Sequence, residues 1–235
     1  VLEENLIKPK VEGILKIEVP AGTIEVNYKM KNEKVEWVEI KNVDSYLADK
    51  NLIIHSDGLG EIKFDVSYGG NFYAIIENQK NYLGLKNYKA EELISFSREI
   101  RDKINKKYPN RFIHPIDKSI RDVSHILWTG QVIDNESSSR NAVFYGDKAI
   151  DRSPCGTGSS ARMAQLFSQN KLKVGEVFIH ESYIGSKFIC RIEKSSKIQK
   201  IDGISPVIKG WAKIIGYNKI IVDSSDPFYN GFQVI

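Results

Sequence analysis

The feature that most restricts this chain is a long succession of short β-like stretches interrupted by only two helical windows. Residues 13–19 and 22–28 alternate apolar and polar side chains on either side of Pro20-Ala21-Gly22, a turn signal, and so read as a hairpin. Residues 35–43, 51–55 and 61–68 have the same texture, and Gly69-Gly70-Asn71 then turns the chain into 72–76. Further strands are expected at 141–145, 176–184, 187–193, 204–208, 212–215 and 219–222. The first helical window covers 90–108, where Leu93, Ile94, Phe96, Ile100 and Ile104 recur near helical spacing and Pro109 marks the end. The second begins just after Cys155, with Ala161, Met163, Ala164, Leu166 and Phe167 as its apolar residues and Asn170 closing it. Residues 134–140 read as a surface loop. Many strands, few helices and no regular βαβ alternation indicate an α+β fold.

Composition narrows the classes of partner. The formal net charge of +4 arises from 34 basic and 30 acidic side chains, with no dense basic run interleaved with aromatics. That excludes a nucleic-acid footprint. Lys103, Lys106 and Lys107 read as the solvated end of the first helix, where cations suit the dipole. No apolar run approaches the length of a membrane span, so no membrane partner is expected. Two cysteines, Cys155 and Cys190, are too few for a disulfide framework, and a reducing, cytoplasmic setting is the default expectation. The chain opens Val-Leu-Glu-Glu-Asn-Leu-Ile, without an initiator Met or a signal-like pattern, and is expected to lack a segment upstream.

The chemistry is concentrated in Asp151-Arg152-Ser153-Pro154-Cys155-Gly156-Thr157-Gly158, between a strand and the second helix. Cys155 stands where that helix begins, so unpaired N–H groups and the positive end of the dipole surround it. That placement is expected to lower the thiol pKa. Gly156 and Gly158 remove side chains that would keep an anionic ligand away from the same amides. Asp151, four residues before the cysteine, can meet a cationic group on that ligand. An anion site, a carboxylate and a thiol in one turn suit an amino acid zwitterion and removal of its Cα proton. On spacing alone, a capping turn with Ser153 or Thr157 as cap and a buried cysteine is an equal alternative. A phosphate loop is disfavoured because Gly-Lys-Ser/Thr is absent, and none of His55, His114, His125 and His180 lies in a peptidase-like motif. The histidines are expected to be structural or solvent-facing.

The same segment, followed by Ser160-Ala161-Arg162-Met163-Ala164, closely resembles the signature of the proline racemase and hydroxyproline epimerase family. Pro20-Ala21-Gly22, Tyr68-Gly69-Gly70-Asn71-Phe72-Tyr73-Ala74-Ile75, Gly175-Glu176, Glu181-Ser182, Gly185-Ser186, Asp226-Pro227-Phe228 and Gly231-Phe232 are further family-like landmarks in family order. The resemblance implies a diaminopimelate epimerase-like fold, in which mixed β-sheets wrap a central helix in each of two pseudo-symmetric lobes. It implies a cofactor-independent racemase or epimerase acting on proline or hydroxyproline, with two thiols on opposite faces of Cα. Cys155 would be the second-lobe acid/base. Gly156 and Thr157 would donate backbone hydrogen bonds to the substrate carboxylate, Asp151 would hold its ammonium, and Tyr145 would form an aromatic wall. The resemblance also allows a homodimer.

The departure from the pattern is the absence of a Met-Cys-Gly-His-type motif, so the first lobe is expected to be incomplete and the chain inactive alone. Residues 1–40 read as a remnant of the N-terminal lobe, 41–215 as the lobe carrying Cys155, and 216–235 as a strand segment returning to the first lobe. Cys190 lies in an alternating strand and is expected to be structural, and Asp44 replaces a proline common in the family. A hydroxyproline dehydratase is a competing reading, disfavoured because such relatives tend to carry Thr in place of Cys155. A non-catalytic amino-acid-binding remnant and a redox-sensing thiol protein are the others.

Overall fold

The computed structural model describes residues 1–20 and 22–231. Ala21 and Phe232, both within the family-like landmarks, lie outside the described residues. The chain begins with β1 (Ile14–Val19), β2 (Gly22–Lys31), β3 (Lys34–Lys41), β4 (Tyr46–Ser56), β5 (Gly60–Tyr68) and β6 (Phe72–Ile76). It continues with α1 (Ala90–Lys107), β7 (Val123–Gly130), β8 (Ser139–Tyr145), β9 (Ala149–Ile150), α2 (Gly156–Ser168), β10 (Val177–Glu181), β11 (Lys187–Ile198) and β12 (Ile201–Gly210). Eleven of the strands form one sheet in the order β1-β2-β3-β12-β11-β10-β8-β7-β6-β5-β4, with β9 paired to β8. The β6–β7 and β8–β10 pairs are parallel and the remaining pairs antiparallel, which makes the sheet mixed.

The far end of this sheet curls back on its middle. Just before β4, Ser45 exchanges backbone hydrogen bonds with Ile204 of β12 at 2.9 and 2.8 Å. The strands from β12 round to β4 therefore enclose α2. Its sequence fits that position, because every residue from Gly158 to Leu166 is buried. A helix buried on all sides needs small residues wherever backbone approaches it. At Gly69 an added Cβ would lie 2.2 Å from the Thr157 carbonyl oxygen, so the β5–β6 turn tolerates no side chain there. Asn42 clamps this approach, donating to the Gly69 carbonyl and the Ser160 hydroxyl, both at 2.9 Å.

The polar residues of α2 are tied to the surrounding strands. The buried Arg162 pairs with Glu77 at 2.7 Å, and Gln165 donates to Asp65 of β5 at 2.7 Å. Breaking one member of such a network strands its buried partners, which costs more than the network contributes intact. Outside the sheet, α1 packs its apolar face on β4, β7 and β8, through Leu93, Ile100 and Ile104. Its first turn carries Glu91 and Glu92 and its last Lys106 and Lys107, each sign at the end the dipole favours. Trp128 of β7 is fully buried beneath α1 and donates its indole N–H to Ser97 at 2.7 Å.

The expected hairpin is β1–β2, with Val19 opposite Gly22. Cys190 is buried in β11, as expected. Three expectations are corrected. Residues 212–215 and 219–222 form no strand, and Ile215, Ile220 and Ile221 there are exposed, because no other strand among the described residues pairs with them. Residues 134–140 are not wholly a surface loop, since Ser137 is buried and Arg140 is buried within β8. The strand β7 was not anticipated, although it lies between β6 and β8 at the centre of the sheet. Asp44 accepts a 2.6 Å hydrogen bond from Ser205 of β12, which anchors the segment before β4. No helix among the described residues is long and apolar enough to cross a membrane.

Candidate active site

Cys155 is the N-cap of α2, and its backbone lies in the left-handed region with φ +65°. A side chain rarely adopts that conformation without surroundings that enforce it. Here the enforcement is a ladder of short-range hydrogen bonds. Asp151 N–H donates to Val143 of β8 at 2.8 Å, Ser153 N–H to the Asp151 carboxylate at 2.8 Å, and Cys155 N–H to the Ser153 hydroxyl at 3.0 Å. The Pro154 carbonyl accepts from Asn141 at 2.8 Å and from Ser159 at 3.3 Å. Ser186 holds the Arg152 carbonyl at 2.8 Å. The cap is therefore Cys155 itself, with Ser153 bracing it from behind, rather than Ser153 or Thr157 as in the alternative reading of the turn.

The thiol is surrounded by donors. Gly158 N–H donates to Cys155 Sγ at 3.4 Å, the Tyr73 hydroxyl lies 3.4 Å away, and Thr157 Oγ1 lies 3.6 Å away. The Tyr73 and Thr157 hydroxyls are themselves 2.5 Å apart. The amides of Gly156 and Thr157, at the first two positions of α2, precede the first intrahelical N–H bond and are free of helical partners. A Cβ at Gly156 would meet nothing within 4 Å, so this side of the turn is open. An anionic group has room there to reach those amides.

The expected lowering of the thiol pKa is corrected. Cys155 is partly exposed as a residue, yet its thiol sits among Tyr73, Ile75, Leu127, Val143 and Ala161, and this burial pushes its pKa above the ordinary thiol value. The bonds from Tyr73, Gly158 and Thr157 act the other way, and the negative charge of Asp151 adds to the rise. Desolvation outweighs the helix end because the thiol faces the core side of the turn.

Asp151 is half-buried at the base of the ladder, close enough for its charge to act on both Cys155 and His125. Tyr145 is 46% exposed at the end of β8, on the same face of the strand as Val143, which packs beside Cys155. The structure thus gathers Cys155, Asp151, Gly156 and Thr157 in one turn and leaves Tyr145 at its rim.

Four further residues shape this site, and two of them, His125 and His180, are among the histidines expected to be structural or solvent-facing. Tyr73 comes from β6, 82 positions before the cysteine, and was noted only as part of a landmark. His125 of β7 packs its ring on Tyr73 at 4.8 Å, with Ser124 bonded to its Nδ1 at 2.7 Å. Burial, with the positive charge of Arg101, drops His125 to about 4, so its ring is neutral at pH 7. Asn141 and His180 brace the turn from below. His180 is fully buried and shares a 2.8 Å hydrogen bond with Ser159, and burial drops its pKa to about 3. The available signal for both was a polar residue directly beside the apolar run of its strand, Asn141 before residues 142–145 and His180 after residues 177–179.

The fold and this site are shared with known proteins. Residues 1–233 match the model of the proline racemase family. The chain is 53% identical, over its full length and 70% of the relative, to a 4-hydroxyproline 2-epimerase of Spirosoma linguale. It is 51% identical over the same shares to a 4-hydroxyproline 2-epimerase of Shewanella loihica. A crystal structure of a hydroxyproline epimerase from Agrobacterium vitis, with bound trans-4-hydroxy-L-proline, superposes with a TM-score of 0.90 at 26% identity. That match covers 99% of this chain and 66% of the epimerase. With its mixed sheet wrapped around α2, this α+β chain belongs to the proline racemase family of isomerases.

Proposed function

We propose that this chain provides one acid/base half of an epimerase acting on 4-hydroxyproline or proline, with Cys155 as the group that exchanges the Cα proton. The observation that carries this reading is the thiol held at the first turn of α2, beside an open approach at Gly156 and two amides without helical partners. The substrate carboxylate docks on the Gly156 and Thr157 amides, and Asp151 receives the ammonium. The thiolate then takes the Cα proton, the electron pair passes into the carboxylate, and the amides stabilise the charge that collects there. Tyr145 borders the ring of the substrate. No resident cofactor enters these steps.

Inversion requires a proton on the opposite face of Cα. Cys190 cannot supply it, because it is buried in β11 among Met163, Phe178 and Ile208. We assign that proton to a second group outside these 235 residues. In this reading residues 41–215 form the lobe that carries the site, and residues 1–40 and 216–235 belong with the lobe facing it. The chain by itself exchanges the Cα proton without inverting the centre.

The test is incubation with trans-4-hydroxy-L-proline, and separately with L-proline, in deuterium oxide. Cα deuterium is read by NMR and configuration by chiral chromatography, with Cys155→Ser as control. Uptake without inversion, lost in the control, is the expected result. Uptake with inversion would show a second acid/base within the chain and overturn the half-site reading. Absence of uptake with both substrates, when the matching N-terminal lobe is also supplied, would remove Cys155 from its role.

A further inference from the structure

An acid/base group in an epimerase must be stable enough in both protonation states to take a proton in one direction and return it in the other. Burial alone favours the neutral thiol of Cys155 and opposes the thiolate. Something in the site has to offset it. The helix end offers one bond, from Gly158 N–H. The remaining polar contacts on the sulfur are the Tyr73 hydroxyl at 3.4 Å and the Thr157 hydroxyl at 3.6 Å, themselves bonded at 2.5 Å.

These three groups form a closed ring with three protons in the thiol state. The thiol can donate to Tyr73, Tyr73 to Thr157, and Thr157 back towards the sulfur. When the sulfur loses its proton, rotation of two O–H bonds gives a second complete pattern, with Tyr73 donating to the thiolate and Thr157 donating to Tyr73. No heavy atom has to move. Tyr73 is buried with no exposed surface, its ring pinned against His125, so its hydroxyl cannot turn away to water.

We propose that the Tyr73 hydroxyl is the group that stabilises the Cys155 thiolate, reversing the direction of its hydrogen bond each time the sulfur gains or loses the substrate proton. This rests on the assignment of Cys155 as acid/base. Tyr73 keeps its own proton throughout, since burial beside the sulfur holds its phenol well above the ordinary tyrosine range. The other titratable or charged groups facing the pair are Asp151, whose charge opposes the thiolate, and His125, whose neutral ring lies under the influence of Arg101. Asn71 acts on Tyr73 in the opposite sense to burial, favouring its charged form.

The experiment is the pH dependence of alkylation by iodoacetamide in the 235-residue chain, followed at the Cys155 peptide by mass spectrometry. Tyr73→Phe is expected to move the midpoint upward, slowing alkylation about tenfold at a fixed pH below it, and to leave the high-pH plateau unchanged. 3-Fluorotyrosine placed at position 73 keeps the shape, donates more strongly and is expected to move the midpoint down. This second substitution decides the matter even if the first fails to fold. A midpoint that does not fall with fluorotyrosine, or a Tyr73→Phe effect confined to the plateau, overturns the proposal. Cα deuterium exchange, measured alongside, separates it from the reading beneath it. Exchange that depends on Cys155 while the midpoint ignores Tyr73 removes only the role of Tyr73. Midpoints that move as expected in a chain that never exchanges, even with the N-terminal lobe supplied, remove the acid/base role of Cys155 and leave Tyr73 as its thiolate donor.

Discussion

Cys155 caps α2 and Cys190 packs against it, and burial pushes both thiols above the ordinary value, Cys190 to about 12. Their surroundings are otherwise opposite. Cys190 sits in a strand among Met163, Ala164, Phe178 and Ile192, with the Ser159 hydroxyl as a polar neighbour. Cys155 occupies a left-handed cap, meets a backbone N–H and two hydroxyls, and has open space beside Gly156. Burial is therefore not what distinguishes the thiol proposed to exchange a proton from the structural one. The distinction is a set of donors able to receive a charge, on a backbone held away from its preferred conformation and open on one side.

The largest effect expected from this contrast is on turnover. Cys155→Ser should lower Cα exchange by roughly 10²–10⁴-fold, the usual contribution of a positioned acid/base group. Cys190→Ala should leave exchange unchanged. NMR of deuterium uptake in both variants checks the pair, and a loss of exchange in Cys190→Ala would break the comparison.

In stability the order reverses. A hydroxyl at position 190 would replace sulfur in an apolar cluster, and Cys190→Ser should cost about 1–3 kcal/mol. Cys155→Ser should leave the urea midpoint close to that of the unmodified chain, because an oxygen at position 155 can accept the same bonds from Gly158 and Tyr73. Equal midpoints for the two serine variants would show that the donors around position 155 do not set it apart from position 190.

How much of this was legible in the sequence depended on how local each cause is. The β1–β2 hairpin, β6 and the limits of α1 follow from turn residues and spacing within a few positions of each other, and they were read closely. The start of α2 after Cys155 was readable for the same reason. The strand β7 was not, because a central strand covered on both sides shows no alternation, and Ser124 and His125 disguise its apolar run. Residues 212–222 carry strand-like composition, but pairing depends on a neighbour that no local pattern specifies. At the site, the turn that holds Cys155 was legible, whereas the direction of its pKa was not. That direction depends on Tyr73, Leu127 and Val143, which only the folded sheet brings to the sulfur.

The comparison also has a pH dependence. A thiol whose pKa is raised on folding holds its proton in the folded chain after the unfolded chain has lost it, so its contribution to stability is complete below the unfolded pKa and declines above it. Stability should fall as pH rises past about 8.5, the unperturbed thiol value, with the Cys190 contribution still declining towards about 12. Cys190→Ala should flatten that alkaline decline. His125 and His180 act on the other side, since their pKa values are depressed to about 4 and about 3. Their contribution is complete above about 6.5 and is lost as pH falls through those folded values. Denaturation followed by circular dichroism across both ranges tests the two signs separately.

The smallest effect sharpens the contrast from the outside of the same strand. Successive residues of β11 face opposite ways, so Arg191, next to Cys190, points away from the core and forms a bidentate pair with Glu39 of β3 at 2.6 and 3.0 Å. The guanidinium hydrogen bond holds the Glu39 carboxyl below its ordinary pKa, so this pair stabilises the fold above the carboxylate range and loses that contribution as pH falls. Both side chains keep contact with solvent, which screens the attraction. Glu39→Gln should therefore cost only about 0.2–1 kcal/mol, less in high salt, and leave the alkylation midpoint of Cys155 where it was. A larger loss, or a shift in that midpoint, would mean that the outer face of β11 is coupled to the turn at the head of α2. The thiol's surroundings would then extend past Tyr73, Thr157 and Gly158 to the strand that carries Cys190.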